Sequence, residues 1–297
     1  MSNTTLRGVQ LAPLAPTLDI QAVLGHKANL LRWQISGDPT HIGSLDSESY
    51  KGWVRDQLDA FDDKMPTGYH NVVLDLHTPP GGFDGGRAAM FTTKTWAKNT
   101  LKEVWCEIAQ RYQNNDKVFV YGILNEAAGS GSQVNGIMKE CLDIIRAIDV
   151  QKRVALTVPY SDPTRFHTAK FIPGDTRLWY EVHMYIPMQL THQGIYDYPT
   201  PVAYPTATLN RQKLKTYLQK VRDFQLANKA RIYVGEFSIS SFASTASRVA
   251  YLYDCISIFE EYGWQWTYHA WREADVWNAE LTPEVANLLY SAWENNG

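Results

Sequence analysis

Cysteine is scarce and scattered in this chain. Cys106, Cys141 and Cys255 lie far apart with no Cys-x-x-Cys pair, so neither a disulfide framework nor a zinc site of that spacing is available. Three free thiols are expected, with Cys141 on the apolar stripe of IMKECLDII. The eight histidines stand singly, without His-x-His or His-Glu-x-x-His, which argues against a metal-dependent hydrolase. No metal and no other cofactor is expected. Positive charge is not in excess: 28 Lys and Arg stand against 31 Asp and Glu, a formal net charge of −3. Neither nucleic acid nor an anionic membrane is therefore an expected partner. No apolar run reaches the roughly 18 residues of a membrane-spanning helix. The opening MSNTTLRGVQL lacks a charged region followed by an apolar one, so no signal peptide is expected. Two localisations follow, inside the cell or outside it after removal of a leader. A Gly-x-Ser-x-Gly elbow is missing, which argues against a serine hydrolase. The glycine-rich HTPPGGFDGGR does not match the phosphate-binding Gly-x-x-x-x-Gly-Lys pattern.

What the chain does have is alternation. Eight β-rich runs recur along the 297 residues: LRGVQL (6–11), ANLLRWQI (28–35), HNVVLDLH (70–77), KVFVYGILNE (117–126), RVALTVP (153–159), RLWYEVHMY (177–185), RIYVGEF (231–237) and WQWTYHAW (264–271). Helical periods separate most of them. TLKEVWCEIAQRY sets Leu101, Val104, Trp105, Ile108 and Tyr112 on one face, and SRVAYLYDCISIFEEYG ends at Gly263, a helix-terminating glycine. Only the fifth connection, SDPTRFHTAKFIPGD, promises a short helix or none. Near-continuous apolar strands alternating with helices predict a parallel sheet covered on both faces. Eight such units in one chain without a linker predict an α/β fold, a single-domain (β/α)₈ barrel over residues 1–297. The open doubly wound sheet is the alternative, but LRGVQLAPLAP carries no glycine-rich phosphate loop after the first strand.

In such a barrel the chemistry gathers at the C-terminal ends of the strands. Those ends carry Arg32, His77, Asn125 with Glu126, His183 with Tyr185, Glu236 and, near the last, Trp271. A carboxylate at the end of the apolar YGILNEAAG is costly unless it is paired or used. Glu126 and Glu236, brought to one mouth, suit glycosidic bond cleavage. One must give a proton to the leaving oxygen while the other, ionised, attacks or stabilises the sugar cation. Arg32 would hold the nucleophile ionised, and Tyr185 would orient it. Asn125 would bond the sugar 2-hydroxyl, and His77 and His183 are donors for substrate or for their neighbours. Aromatic residues make up 12% of the chain. Trp33, Trp179, Trp264, Trp266, Trp271 and Trp277 would supply flat stacking faces, alongside core duties. The long segment THQGIYDYPTPVAYPTATLN (191–210) would build subsites, with His192 and Gln193 reaching hydroxyls.

These stretches together resemble glycoside hydrolase family 5, the cellulase-type retaining glycosidases. LRGVQL, LLRWQI, VVLDLHTPPGG, YGILNEAAG, EVHMYIPMQLTHQG, VGEFSI and WTYHAWREAD match in order over nearly the whole chain. The resemblance implies Glu126 as acid/base, Glu236 as nucleophile, double displacement and retention of configuration. It also implies a β-linked oligo- or polysaccharide substrate, endo-β-1,4-glucan first, with mannan, xyloglucan, xylan and small β-glucosides as alternatives. A monomer is expected. The chain departs from the pattern in having Ala127 where the family has Pro, Gln10 where it often has Asn, and both His269 and Trp271 competing for the last strand's rim. A carbohydrate-binding barrel without activity is the non-enzymatic alternative; the presence of both carboxylates argues against it.

Overall fold

The computed structural model describes residues 5–12 and 19–294. Residues 1–4, where the leader reading begins, and 13–16, the end of the segment scanned for a phosphate loop, lie outside the described residues. Eight strands form the frame: β1 (Arg7–Leu11), β2 (Leu30–Ile35), β3 (Val72–Leu76), β4 (Val118–Gly122), β5 (Arg153–Thr157), β6 (Leu178–Met184), β7 (Arg231–Phe237) and β8 (Gln265–Trp271). Their order β1-β8-β7-β6-β5-β4-β3-β2 closes a barrel. The helices are α1 (Ile20–Gly25), α2 (Pro39–Ser44), α3 (Ser47–Lys64), α4 (Ala97–Tyr112), α5 (Gly131–Ile148), α6 (Met188–Thr191), α7 (Arg211–Asn228), α8 (Thr245–Tyr262) and α9 (Pro283–Glu294). After β5 only 3₁₀ turns occur, the last at Pro163–Thr168, so the weakly patterned fifth connection indeed lacks an α-helix.

The chain divides into two compact units, residues 33–181 and residues 1–32 with 182–297, and the division falls inside β2 and inside β6. In the first unit β3 to β6 pair in parallel, with Val73 opposite Val120, Tyr121 opposite Val154 and Leu156 opposite Tyr180. Helix α4 buries Leu101, Val104, Trp105, Ile108 and Tyr112, the stripe that its period prescribes. The Trp105 indole N–H donates to the Ile123 carbonyl at 2.9 Å, which fixes the chain just beyond β4. The glycine-rich loop after β3 folds into a two-residue hairpin, Phe83–Asp84 with Arg87–Ala88. Its turn residues Gly85 and Gly86 have φ of 53° and 77°, the left-handed geometry that tight hairpins demand.

In the second unit β8 lies between β1 and β7. Gly8 is dictated by packing, since a Cβ there would come within 1.5 Å of the Leu30 carbonyl oxygen. Helix α8 ends on Gly263 at φ 70°. Its apolar face and the aromatic cluster Phe237, Phe259 and Trp266 form the core between helix and strand.

Candidate active site

Glu236 sits at the end of β7 and is 5% exposed. The carbonyl of Gly235, just before it, accepts the Thr267 hydroxyl of β8 at 2.6 Å, so the strand end is pinned. Arg32, fully buried on β2, brings Nη1 to 2.5 Å from Glu236 Oε1. The Tyr185 hydroxyl donates to Oε2 at 3.0 Å. His183 and His269 each place Nδ1 3.8 Å from the same Oε2. A carboxylate removed from water is costly alone; a guanidinium and a phenol make this one tolerable and hold it in one orientation. Tyr185 is itself fixed, because the Thr191 hydroxyl donates to its carbonyl at 2.6 Å. The Tyr251 hydroxyl bonds the preceding Met184 carbonyl at 3.1 Å. Gln10 of β1 accepts from Arg32 Nη1, and its amide nitrogen meets His269 Nδ1 at 2.8 Å.

Beyond β4, Asn125 and Glu126 are half-buried. Glu126 has φ 38°, a left-handed backbone uncommon outside glycine and often found at functional positions. Proline biases the residue before it towards extended backbone, and Ala127 removes that bias. Asn125 Nδ2 lies 3.3 Å from His77 Nε2, while His77 Nδ1 lies 2.8 Å from Asp75 Oδ2. The buried Asp75 carboxylate fixes the imidazole, and the imidazole orients the amide. Asp75 did not figure among the expected site residues, although alternation along β3 puts residues 75 and 77 on one face.

Two expectations need correction. Trp271 is 1% exposed and lies against Tyr290 and Trp293 of α9 at 6.4 and 6.3 Å between rings; it is a core residue and offers no sugar platform. The half-exposed Trp277 takes the open position, with its ring 6.2 Å from Tyr185, 5.3 Å from His192 and 5.8 Å from His269. The Tyr268 hydroxyl holds the Trp277 carbonyl at 2.8 Å. Gln193 is fully buried. Its amide donates to the Leu190 and Val202 carbonyls, each at 3.0 Å, and accepts the Val202 N–H at 2.9 Å. That side chain clasps its own loop and has no capacity left for a hydroxyl. His192 keeps a ring contact to Tyr185 at 5.2 Å and a 2.9 Å contact to the Thr191 hydroxyl. Trp33, Trp179, Trp264 and Trp266 are at most 2% exposed and belong to the core.

The family model described as Cellulase (glycosyl hydrolase family 5) matches residues 17–275. The chain belongs to glycosyl hydrolase family 5. This family 5 hydrolase is 26% identical to Endoglucanase C of Acetivibrio thermocellus over 256 residues, 73% of this chain and 74% of that one. It is 25% identical to Cellodextrinase A of Ruminococcus flavefaciens over 206 residues, 65% and 60% of the two chains. Thermotoga maritima Cel5A, solved in complex with mannotriose, superposes with a TM-score of 0.78 at 16% identity over 98% of both chains. At that identity the likeness concerns the barrel fold of this family 5 hydrolase.

Proposed function

We propose that the chain is an endo-acting, retaining β-1,4-glucanase that works as a single-domain monomer, with Glu236 as nucleophile and Glu126 as acid/base. The observation that carries the nucleophile is its environment: a buried carboxylate bonded by Arg32 and Tyr185 is held ionised and aimed. In the first step Glu236 attacks the anomeric carbon while the Glu126 proton passes to the leaving oxygen, giving a glycosyl ester and a departing fragment with a free 4-hydroxyl at its non-reducing end. In the second step Glu126 takes a proton from water, the water oxygen bonds the anomeric carbon, and Glu236 leaves as carboxylate. Asn125, oriented by His77 and Asp75, bonds the sugar 2-hydroxyl, a contact that strengthens in the transition state.

A β-1,4-glucan is favoured by the aromatic surface leading away from Glu236. From Tyr185 the rings continue to Trp277 and His192, then to Tyr196, 6.0 Å from His192 and 77% exposed. An equatorial glucan presents flat C–H faces that such rings stack upon. The related endoglucanases and cellodextrinase point to the same substrate class. Turnover on soluble glucan, glucomannan, xyloglucan, xylan and aryl glucosides tests the substrate, and proton NMR of the first-formed anomer tests retention. Glu236→Ala abolishes turnover, and azide restores part of it as the inverted glycosyl azide. Glu126→Ala keeps activity mainly on substrates with good leaving groups. The reverse pattern would exchange the two roles, and an inverted first product would overturn double displacement.

A further inference from the structure

Gln10 and His269 are two positions at which the chain has its own chemistry beside Glu236. Gln10 is fully buried. Arginine carries only donors, so the end of the Gln10 amide facing Arg32 Nη1 is its oxygen. The opposite assignment would press two donors together, and the amide orientation is thereby fixed by chemistry. The other end, Nε2, is then an N–H donor 2.8 Å from His269 Nδ1. A donor at that distance requires a ring nitrogen with a lone pair. Nδ1 is bare and the ring proton sits on Nε2.

The charged groups around the ring sharpen the point. Glu236 Oε2 of β7 and Glu273 Oε2 of the segment after β8 each lie 3.8 Å from Nδ1, outside hydrogen-bond reach. Arg32 of β2 is linked to the ring through Gln10. Tyr185, just after β6, and Trp277 present ring faces or edges at 6.3 and 5.8 Å. Two carboxylates invite a proton onto Nδ1, and the Gln10 N–H stands where that proton would go.

We propose that Gln10 is a positioning residue that locks His269 as its neutral Nε2–H tautomer beside Glu236. One buried amide thus serves both neighbours: it orients the guanidinium that binds the nucleophile, and it keeps a second cation away from that nucleophile. Arg32 remains the cation in contact with Glu236, and His269 presents Nε2–H as its single donor, suited to a sugar hydroxyl. The tautomer stands on geometry alone; its use in the reaction rests on the hydrolase reading above.

Nitrogen-15 NMR of histidine-labelled protein at neutral pH reads the tautomer directly, with the His269 signals assigned by their loss in His269→Gln. The expected wild-type pattern is an unprotonated Nδ1 and a protonated Nε2. In Gln10→Glu the amide donor becomes an acceptor, and Nδ1 gains a proton. The same variant loses roughly tenfold or more in kcat, while Gln10→Asn, which keeps donor and acceptor, retains more. A protonated Nδ1 in the wild type overturns the proposal without Gln10→Glu having to fold. So does an unchanged His269 spectrum in a folded Gln10→Glu. A bare Nδ1 in a chain inactive on every glycan would keep the tautomer and remove only the hydrolase reading.

Discussion

Arg32→Met removes the cation from a carboxylate that has little water to turn to. Arg32 is fully buried, Glu236 is 5% exposed, and Nη1 and Oε1 stand 2.5 Å apart. Breaking one partner of such a pair leaves a buried charge uncompensated and costs about 3–5 kcal/mol. For a chain of this size roughly 2 °C of Tm accompanies each kcal/mol, so the midpoint should fall by ~6–10 °C. Catalysis should fall as well, because each ~1.4 kcal/mol lost from the transition state is a factor of ten. If Glu236 is the nucleophile proposed above and about 3 kcal/mol of the pairing persists as it attacks, kcat/KM drops by roughly a hundredfold or more. The control is Glu236→Gln in the Arg32→Met background. With the charge gone, the second substitution should cost less stability than it does alone, by an interaction energy on the order of 1–3 kcal/mol. Urea unfolding of the four proteins measures this cycle. Strict additivity, or an Arg32→Met variant that melts with the wild type, would refute the view that the guanidinium compensates this carboxylate.

Trp277→Ala should weaken hydrolysis of polymeric glucan with little loss of stability, whereas Trp271→Ala should cost about 3–5 kcal/mol of stability, read by urea unfolding. Burial pushes the Cys141 and Cys255 thiols well above their ordinary range. At pH 8 an alkylating reagent should therefore label Cys106 alone in native protein and all three after unfolding, which mass spectrometry counts. Prolonged EDTA treatment should leave the rate unchanged, since the proposed carboxylate chemistry needs no metal; a large loss restored by a divalent ion would reopen the metallohydrolase reading.

The fold was legible because periodicity and punctuation agreed. All eight barrel strands fall inside the eight β-rich runs, and the helical stripe of α4 is buried at each position its spacing marks. Of the residues expected from strand ends, Arg32, Tyr185 and His183 lie beside Glu236, as a parallel barrel that sends such ends to one rim requires. Side-chain saturation was not legible. Gln193 looked like a donor on a long loop, yet an amide beside a buried loop backbone is consumed by that backbone. Asp75 was hidden for the opposite reason: a carboxylate inside VVLDLH reads as a strand position until its neighbour two residues on is seen to be a histidine that needs holding.

The last strand shows why its rim residue could not be chosen from alternation. In a regular strand residues 269 and 271 share a face, so His269 and Trp271 competed for the rim, and Trp271 stood as the expected one. The pairing with β1 breaks that rule. Val9 faces Tyr268 but Leu11 faces Trp271, two steps on β1 against three on β8. One extra residue on a strand is a bulge, and it reverses the alternation beyond it. His269 therefore keeps the inward face with Gln10 and Glu236, while Trp271 turns towards Trp293 of α9. Removing the extra residue should leave both faces as they are. Deleting Ala270 would restore two-against-two pairing and set the tryptophan directly after His269, still opposite Leu11 and on the outward face. That deletion should therefore cost no more activity than its loss of stability accounts for. A folded deletion variant whose kcat falls far beyond its loss of stability would show that the bulge itself aims His269.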